Sequence, residues 1–180
     1  MSSIIKNANN LGITYSATSK TLYDGSRENV FTDDSSYFRS EGSTSEQWWQ
    51  VSFSKAVSIS SYIIKSSTQH VHRPKAWEVM ASMNGIQWEV VDRIAGKDTA
   101  ANTDIFIPYF TVNCMHFRIV FKENYNNNEY MRFTFFDCFG GLGNNNTKNV
   151  RYNQCYCNTV RSKNILSFRV MLYSFMISAL

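Results

Sequence analysis

Two prolines, Pro74 and Pro108, are all that 180 residues hold, and no cysteine occurs before Cys114. With 15% aromatic and 18% charged residues beside so little proline, the chain is excluded from the disordered and low-complexity classes and has the means to build a core. Late cysteines exclude any disulfide within the first half of the chain. Cys114, Cys138, Cys155 and Cys157 are read as free thiols of a reducing compartment. The pair Cys155 and Cys157 lacks a second pair or a neighbouring histidine to complete a four-ligand metal site. No apolar core follows a basic start, so no secretory leader is read and a cytoplasmic location is expected. Near the other end, Ile165 to Leu180 is apolar but interrupted by Arg169 and falls short of the roughly 20 residues needed to span a bilayer. An interfacial helix, a self-packing helix and an extension without a role all stay open for it.

Acids are missing from residues 141–180, which carry Lys148, Arg151, Arg161, Lys163 and Arg169. Residues 1–140 hold 13 basic and 14 acidic residues, so the net charge of +4 belongs to the tail. A near-neutral body excludes a broad nucleic-acid face, which needs many phosphate contacts. Also absent are a nucleophile elbow, a zinc-binding HExxH, a phosphate loop and a dinucleotide fingerprint, so no enzyme is predicted.

What is present is alternation. Trp49, Val51 and Phe53 fall on one face of an extended segment, with Trp48, Gln50 and Ser52 on the other. Tyr62 to Lys65, Ala76 to Ala81 (Trp77, Val79 and Ala81 inward) and Gln87 to Asp92 repeat the signal, and Asn84-Gly85 supplies a tight turn between the last two. His116 to Phe121 alternates again, with Phe117, Ile119 and Phe121 as core and His116 a surface residue of the strand. Phe133, Phe135, Phe136 and Phe139 close the series. No long segment of helical period and no internal repeat is found, so the class is all-β.

In their order these pieces resemble the discoidin domain, the coagulation factor V/VIII type C domain of the galactose-binding-like superfamily. The residues that carry the resemblance are Trp48-Trp49-Gln50-Val51, Ser58 to Lys65, Trp77-Glu78-Val79, Ser82-Met83-Asn84-Gly85-Ile86-Gln87-Trp88 and Phe133 to Gly140. Tyr23-Asp24-Gly25 and Ser36 to Ser40 stand upstream where the family has matching segments. The resemblance implies an antiparallel jelly-roll β-sandwich over residues 11–140, with 1–10 a polar arm and 141–180 an additional tail. Extracellular members close the sandwich with a disulfide between its ends, a bridge this chain cannot make. Many relatives hold a structural calcium at the loop of Asp24, and a glutamate from the last strand completes its shell. Here Phe135 stands at that position and Asp137 is the nearest acid, so Asp24 is read as a turn residue, with calcium the weaker alternative and no cofactor otherwise.

Family members bind glycans, phospholipid surfaces or proteins through loops at one end of the sandwich, and the implied site falls on Arg27, His70, His72, Arg73, Tyr125 and Asn126. A tyrosine ring can stack on a sugar, an amide can bond its hydroxyls and a guanidinium can hold a carboxylate or a diol. Membrane insertion is disfavoured, because Gln69, His70, Asn126 and Asn127 are polar where a lipid site needs large apolar tips. The expected function is non-catalytic recognition of a glycan or protein. An intracellular protein-interaction domain is the alternative, and ligand identity and oligomeric state stay open.

Overall fold

The computed structural model describes residues 2–42, 46–66, 72–97, 99, 104–108, 110–125, 130–143 and 150–151, the last two and 110 by backbone only. In chain order the elements are β1 (Ser2–Ser3), a one-turn helix α1 (Ala8–Leu11), β2 (Tyr15–Ser19), β3 (Asp24–Gly25), β4 (Phe38–Arg39) and β5 (Gln47–Lys65). They continue with β6 (Pro74–Ser82), β7 (Glu89–Ile94), β8 (Phe110–Asn124), β9 (Arg132–Phe133), β10 (Phe135–Leu142) and β11 (Val150–Arg151). The large sheet runs β1-β10-β5-β8-β6-β7, with β2 added to β5 and β11 to β8, and a small sheet runs β3-β4-β9.

Two long strands make this one sheet into a sandwich. The first run of β5 lies between β2 and the second run of β8, whereas its later run lies between β10 and the first run of β8. Between the paired positions Ser52 and Val57 the register slips, as β5 has extra residues there that β8 does not match. Such an irregularity bends a strand pair. The two runs then face each other across the core. Trp49 of the first run packs 4.9 Å from Phe136 of β10, and Tyr62 of the later run packs 5.6 Å from Phe117. Trp49, Trp77, Tyr62, Phe38, Phe117, Phe133 and Phe136 are fully buried. Each such side chain contributes about 1.5–3 kcal/mol by leaving water, and the edge-to-face aromatic pairs add about 0.5–1.5 kcal/mol. The all-β sandwich expected from the alternation is what forms, with Val51, Phe53, Val79 and Ile119 also buried.

The details differ in three places. Segments 47–53 and 62–65 are one strand rather than two, because Ala56, Val57 and Ile59 turn inward between them. The first strand of the front layer is Tyr15–Ser19, later than the expected 12–16, since Gly12 at φ +62° closes α1. Residues 1–10, read as a polar arm, belong to the sandwich: Ser2–Ser3 pairs with β10, and Ile4, Ile5 and Ala8 are buried. The Ser3 hydroxyl donates to Asp137 Oδ1 at 2.8 Å. Cys114 and Cys138 are free and buried, and burial pushes the Cys114 thiol up to about 12. Cys155, Cys157 and the apolar tail lie outside the described residues, among which no helix is long and apolar enough to cross a membrane.

Candidate functional site

At one end of the sandwich four connections are stitched together by backbone bonds. Tyr23 N–H donates to Arg39 C=O at 2.9 Å, Ser40 N–H to Met131 C=O at 2.9 Å, Arg132 N–H to His72 C=O at 2.9 Å, and Tyr125 N–H to Arg73 C=O at 3.3 Å. The small sheet sits within this end. Gly25 permits it: at φ +75° its Cα lies so close to the Tyr37 carbonyl that a Cβ would collide with it.

Together the connections deliver four tyrosine rings, His72 and three arginines. Arg39 packs its guanidinium 4.4 Å from the Tyr23 ring and 4.6 Å from the Tyr130 ring. Arg132 lies 3.8 Å over Tyr37, and Arg73 lies 5.2 Å from Tyr125. His72, at φ +73° and buried, sets its ring 4.9 Å from Tyr130. A left-handed backbone at a non-glycine residue costs of order 1–3 kcal/mol and is held here by the stitched loops. Gly42 leaves room for the Tyr130 ring, which an added Cβ would meet at 2.8 Å. The Asp24 carboxylate accepts the Tyr37 hydroxyl at 3.1 Å and stands 3.9 Å from Arg39.

Buried Asp24 Oδ1, Arg39 Nε and Arg132 Nε have no hydrogen-bond partner among the described residues. Native structures keep such groups few, because each costs about 1–3 kcal/mol. Tyr23 at 58% exposure and Tyr125 at 38% are the open rings of the cluster. The arrangement can accept and donate hydrogen bonds at one place while offering aromatic faces beside it.

Of the residues named from sequence, His72, Arg73 and Tyr125 come together here. Arg27 does not join them through its own contacts, since its Nε donates to Ser19 Oγ at 2.7 Å and its carbonyl accepts the Trp49 indole N–H at 3.0 Å. It braces the loop against the core. His70 and Asn126 lie outside the described residues. Tyr23, Arg39, Tyr130 and Arg132 were not among the named residues. A sequence signal for them existed: a tyrosine within two residues of an arginine recurs at 37–39 and 130–132.

As a calcium site Asp24 has a poor donor set. It brings one carboxylate, with Arg39 beside it, and Asp137 is engaged by Ser3 and by the backbone N–H of Cys138. Calcium takes six to eight oxygen ligands, and no group of three or more acidic, histidine or cysteine residues that could hold a metal occurs among the described residues.

Solved structures share this fold. The module CpGH89CBM32-5 from Clostridium perfringens, in complex with GalNAc-β-1,3-galactose, superposes with a TM-score of 0.65 at 10% identity, covering 77% of this chain and all of that one. The family 32 carbohydrate-binding module of C. perfringens NanJ, in complex with galactose, gives 0.60 at 12% identity over 69% of this chain and 92% of that one. The corresponding module of AlyQ, with 4,5-unsaturated mannuronic acid, gives 0.59 at 12% identity over 69% and 93%. No curated protein matches the sequence. The model of the F5/8 type C domain family matches residues 13–135, which is most of the chain, and the protein belongs to that family.

Proposed function

We propose that the protein is a non-catalytic glycan-binding module whose site is the tyrosine–arginine end of the sandwich. The observation that carries the reading is the gathering of the partly exposed Asp24 carboxylate and Arg39 guanidinium with the rings of Tyr23 and Tyr130 at the loop end. Sugar hydroxyls donate and accept at once, which suits a carboxylate beside a guanidinium, while Tyr23 and Tyr125 offer rings to the apolar face of a pyranose. Similar folds that carry galactose and a GalNAc-galactose disaccharide support the sugar class. Rigid loops on a preformed scaffold suit binding without chemistry. A lipid surface is a poorer occupant, since the rim holds phenols and cations rather than aliphatic tips.

A glycan array followed by calorimetry on the best hit tests this. Arg73→Ala and Tyr125→Ala are each expected to weaken binding by more than about 1 kcal/mol. Unchanged affinity in both, with the fold intact, would move recognition away from this end.

A further inference from the structure

On the outer face of the front layer, opposite the core residues of the same strands, stands a second polar cluster. Trp48, Gln50 and Ser52 of β5 neighbour His116 and Arg118 of β8, and Trp88 reaches over them from the start of β7. The Arg118 guanidinium lies 4.2 Å from the Trp48 ring and 3.8 Å from the Trp88 ring, held between two indoles. Its Nε and Nη2 both donate to Gln50 Oε1, at 3.0 and 2.8 Å. That fixes the amide: Gln50 Nε2 then donates to Ser52 Oγ at 2.8 Å, and Ser52 Oγ and His116 Nδ1 share a hydrogen bond of 2.9 Å. With the Ser52 hydroxyl as its donor, that bond assigns the His116 proton to Nε2.

The edges of the cluster left over are then donors, the Nη1 end of Arg118 and the Nε2–H of His116, the latter beside the Gly85 turn. Among the described residues no acid pairs with them. The neighbouring cations on this face are engaged, Lys122 by Glu46 and Glu78 and Arg93 by Glu78, whereas Arg118 makes no ion pair among the described residues. Both groups are half-exposed, as are the two indoles. Nothing in the folding of the sheet needs a cation there, since the strands pair through their backbones.

We propose that this face is a second ligand site, separate from the loop end, for a carboxylate-bearing sugar such as a uronate. The guanidinium edge takes the carboxylate in its plane, His116 Nε2–H donates to a ring hydroxyl, and the indole edges flank the pyranose. An acidic peptide strand is the poorer occupant: it binds by adding to a free strand edge, and a sheet face has its backbone groups already in the ladder. What this face offers is side-chain donors and aromatic surface, the set that hydroxylated rings use.

The full chain is titrated with D-galacturonate, D-galactose and N-acetylglutamate while the tryptophan indole N–H resonances are followed by NMR. Galacturonate is expected to shift the Trp48 and Trp88 signals and leave those of buried Trp49 and Trp77 in place. Arg118→Gln is expected to weaken this response about tenfold or more, and Arg118→Lys, which keeps the charge and loses the fork, by less. The wild-type titration stands alone should Arg118→Gln fail to fold. Trp48 and Trp88 signals unmoved by galacturonate overturn the site. Galactose of equal affinity there overturns the carboxylate, and N-acetylglutamate of equal affinity overturns the sugar.

Discussion

Two polar clusters inside this sandwich contain similar groups and treat them differently. At the centre of the core, the Tyr62 hydroxyl donates to Asp92 Oδ2 at 2.7 Å, accepts from the Trp77 indole at 3.2 Å, and the Arg93 N–H closes on Asp92 Oδ1 at 3.0 Å. Every group there has its partner. At the loop end, a tyrosine, an acid and two arginines stand together, and three of their buried atoms have none. A buried polar network that is complete holds a structure in one arrangement, whereas groups left without a protein partner take water, an ion or a ligand, or store strain. Under the proposed function, the completed cluster serves the fold and the loop-end cluster serves recognition.

The largest effect is expected at the core cluster. Tyr62→Phe keeps the ring packed against Phe106 and Phe117 but strands Asp92 Oδ2 and the Trp77 N–H without water. Leaving buried groups unsatisfied costs about 1–3 kcal/mol each, so denaturant unfolding of this variant at neutral pH should show a loss of at least that size. A loss below about 0.5 kcal/mol would erase the contrast between the clusters.

A smaller effect sharpens the same contrast through pH. Burial raises the Asp92 carboxyl above its ordinary value, outweighing the bonds from Tyr62 and Arg93 that lower it. In the window between the unfolded value near 3.8 and the raised folded value, the native protein binds more protons than the unfolded chain, so Asp92 makes stability fall as pH rises through that window. Asp137 is raised as well and acts in the same direction. Stability of the wild type relative to Asp92→Asn should therefore increase as pH is lowered from neutral toward 4, the difference cancelling the contribution of Asp137. A difference that is flat with pH would mean that Asp92 is not held in the dry environment described for it.

Long strands were legible in the sequence because alternation over six or more residues has one physical cause, a strand with one face in the core. Trp49, Val51, Phe53, Trp77, Val79, Phe117 and Ile119 follow from it directly. The Asn84-Gly85 turn was legible for a local reason, since Asn84 Oδ1 accepts the N–H groups of Ile86 and Gln87 and Gly85 takes φ +72°. Ile4 and Ile5 were hidden because two adjacent apolar residues have no period, and their burial depends on β10, more than a hundred residues away. The site was half legible for the same reason. Loop residues His72, Arg73 and Tyr125 stood out by chemistry, whereas Arg39 and Arg132 sit on strands of two residues, too short to carry a pattern, and meet only because those strands pair.

The smallest stability effect and the sharpest functional one are expected from a single substitution at the loop end. Tyr37→Phe removes the hydroxyl that Asp24 Oδ2 accepts, as Tyr62→Phe does for Asp92. Here the acid is partly exposed and water can replace the lost donor, so the cost should stay within about 0.5–1 kcal/mol, the net value of an ordinary hydrogen bond. The ring remains to pack under Arg132, so the loop keeps its shape. The carboxylate, released from its one side-chain hydrogen bond, is free to turn, and a glycan that needs Asp24 fixed beside Arg39 should bind less tightly by about 1 kcal/mol or more. Unfolding curves and glycan titrations of the two tyrosine variants, run side by side, then separate the clusters: a stability loss for Tyr37→Phe as large as that for Tyr62→Phe would make the loop end another piece of the core.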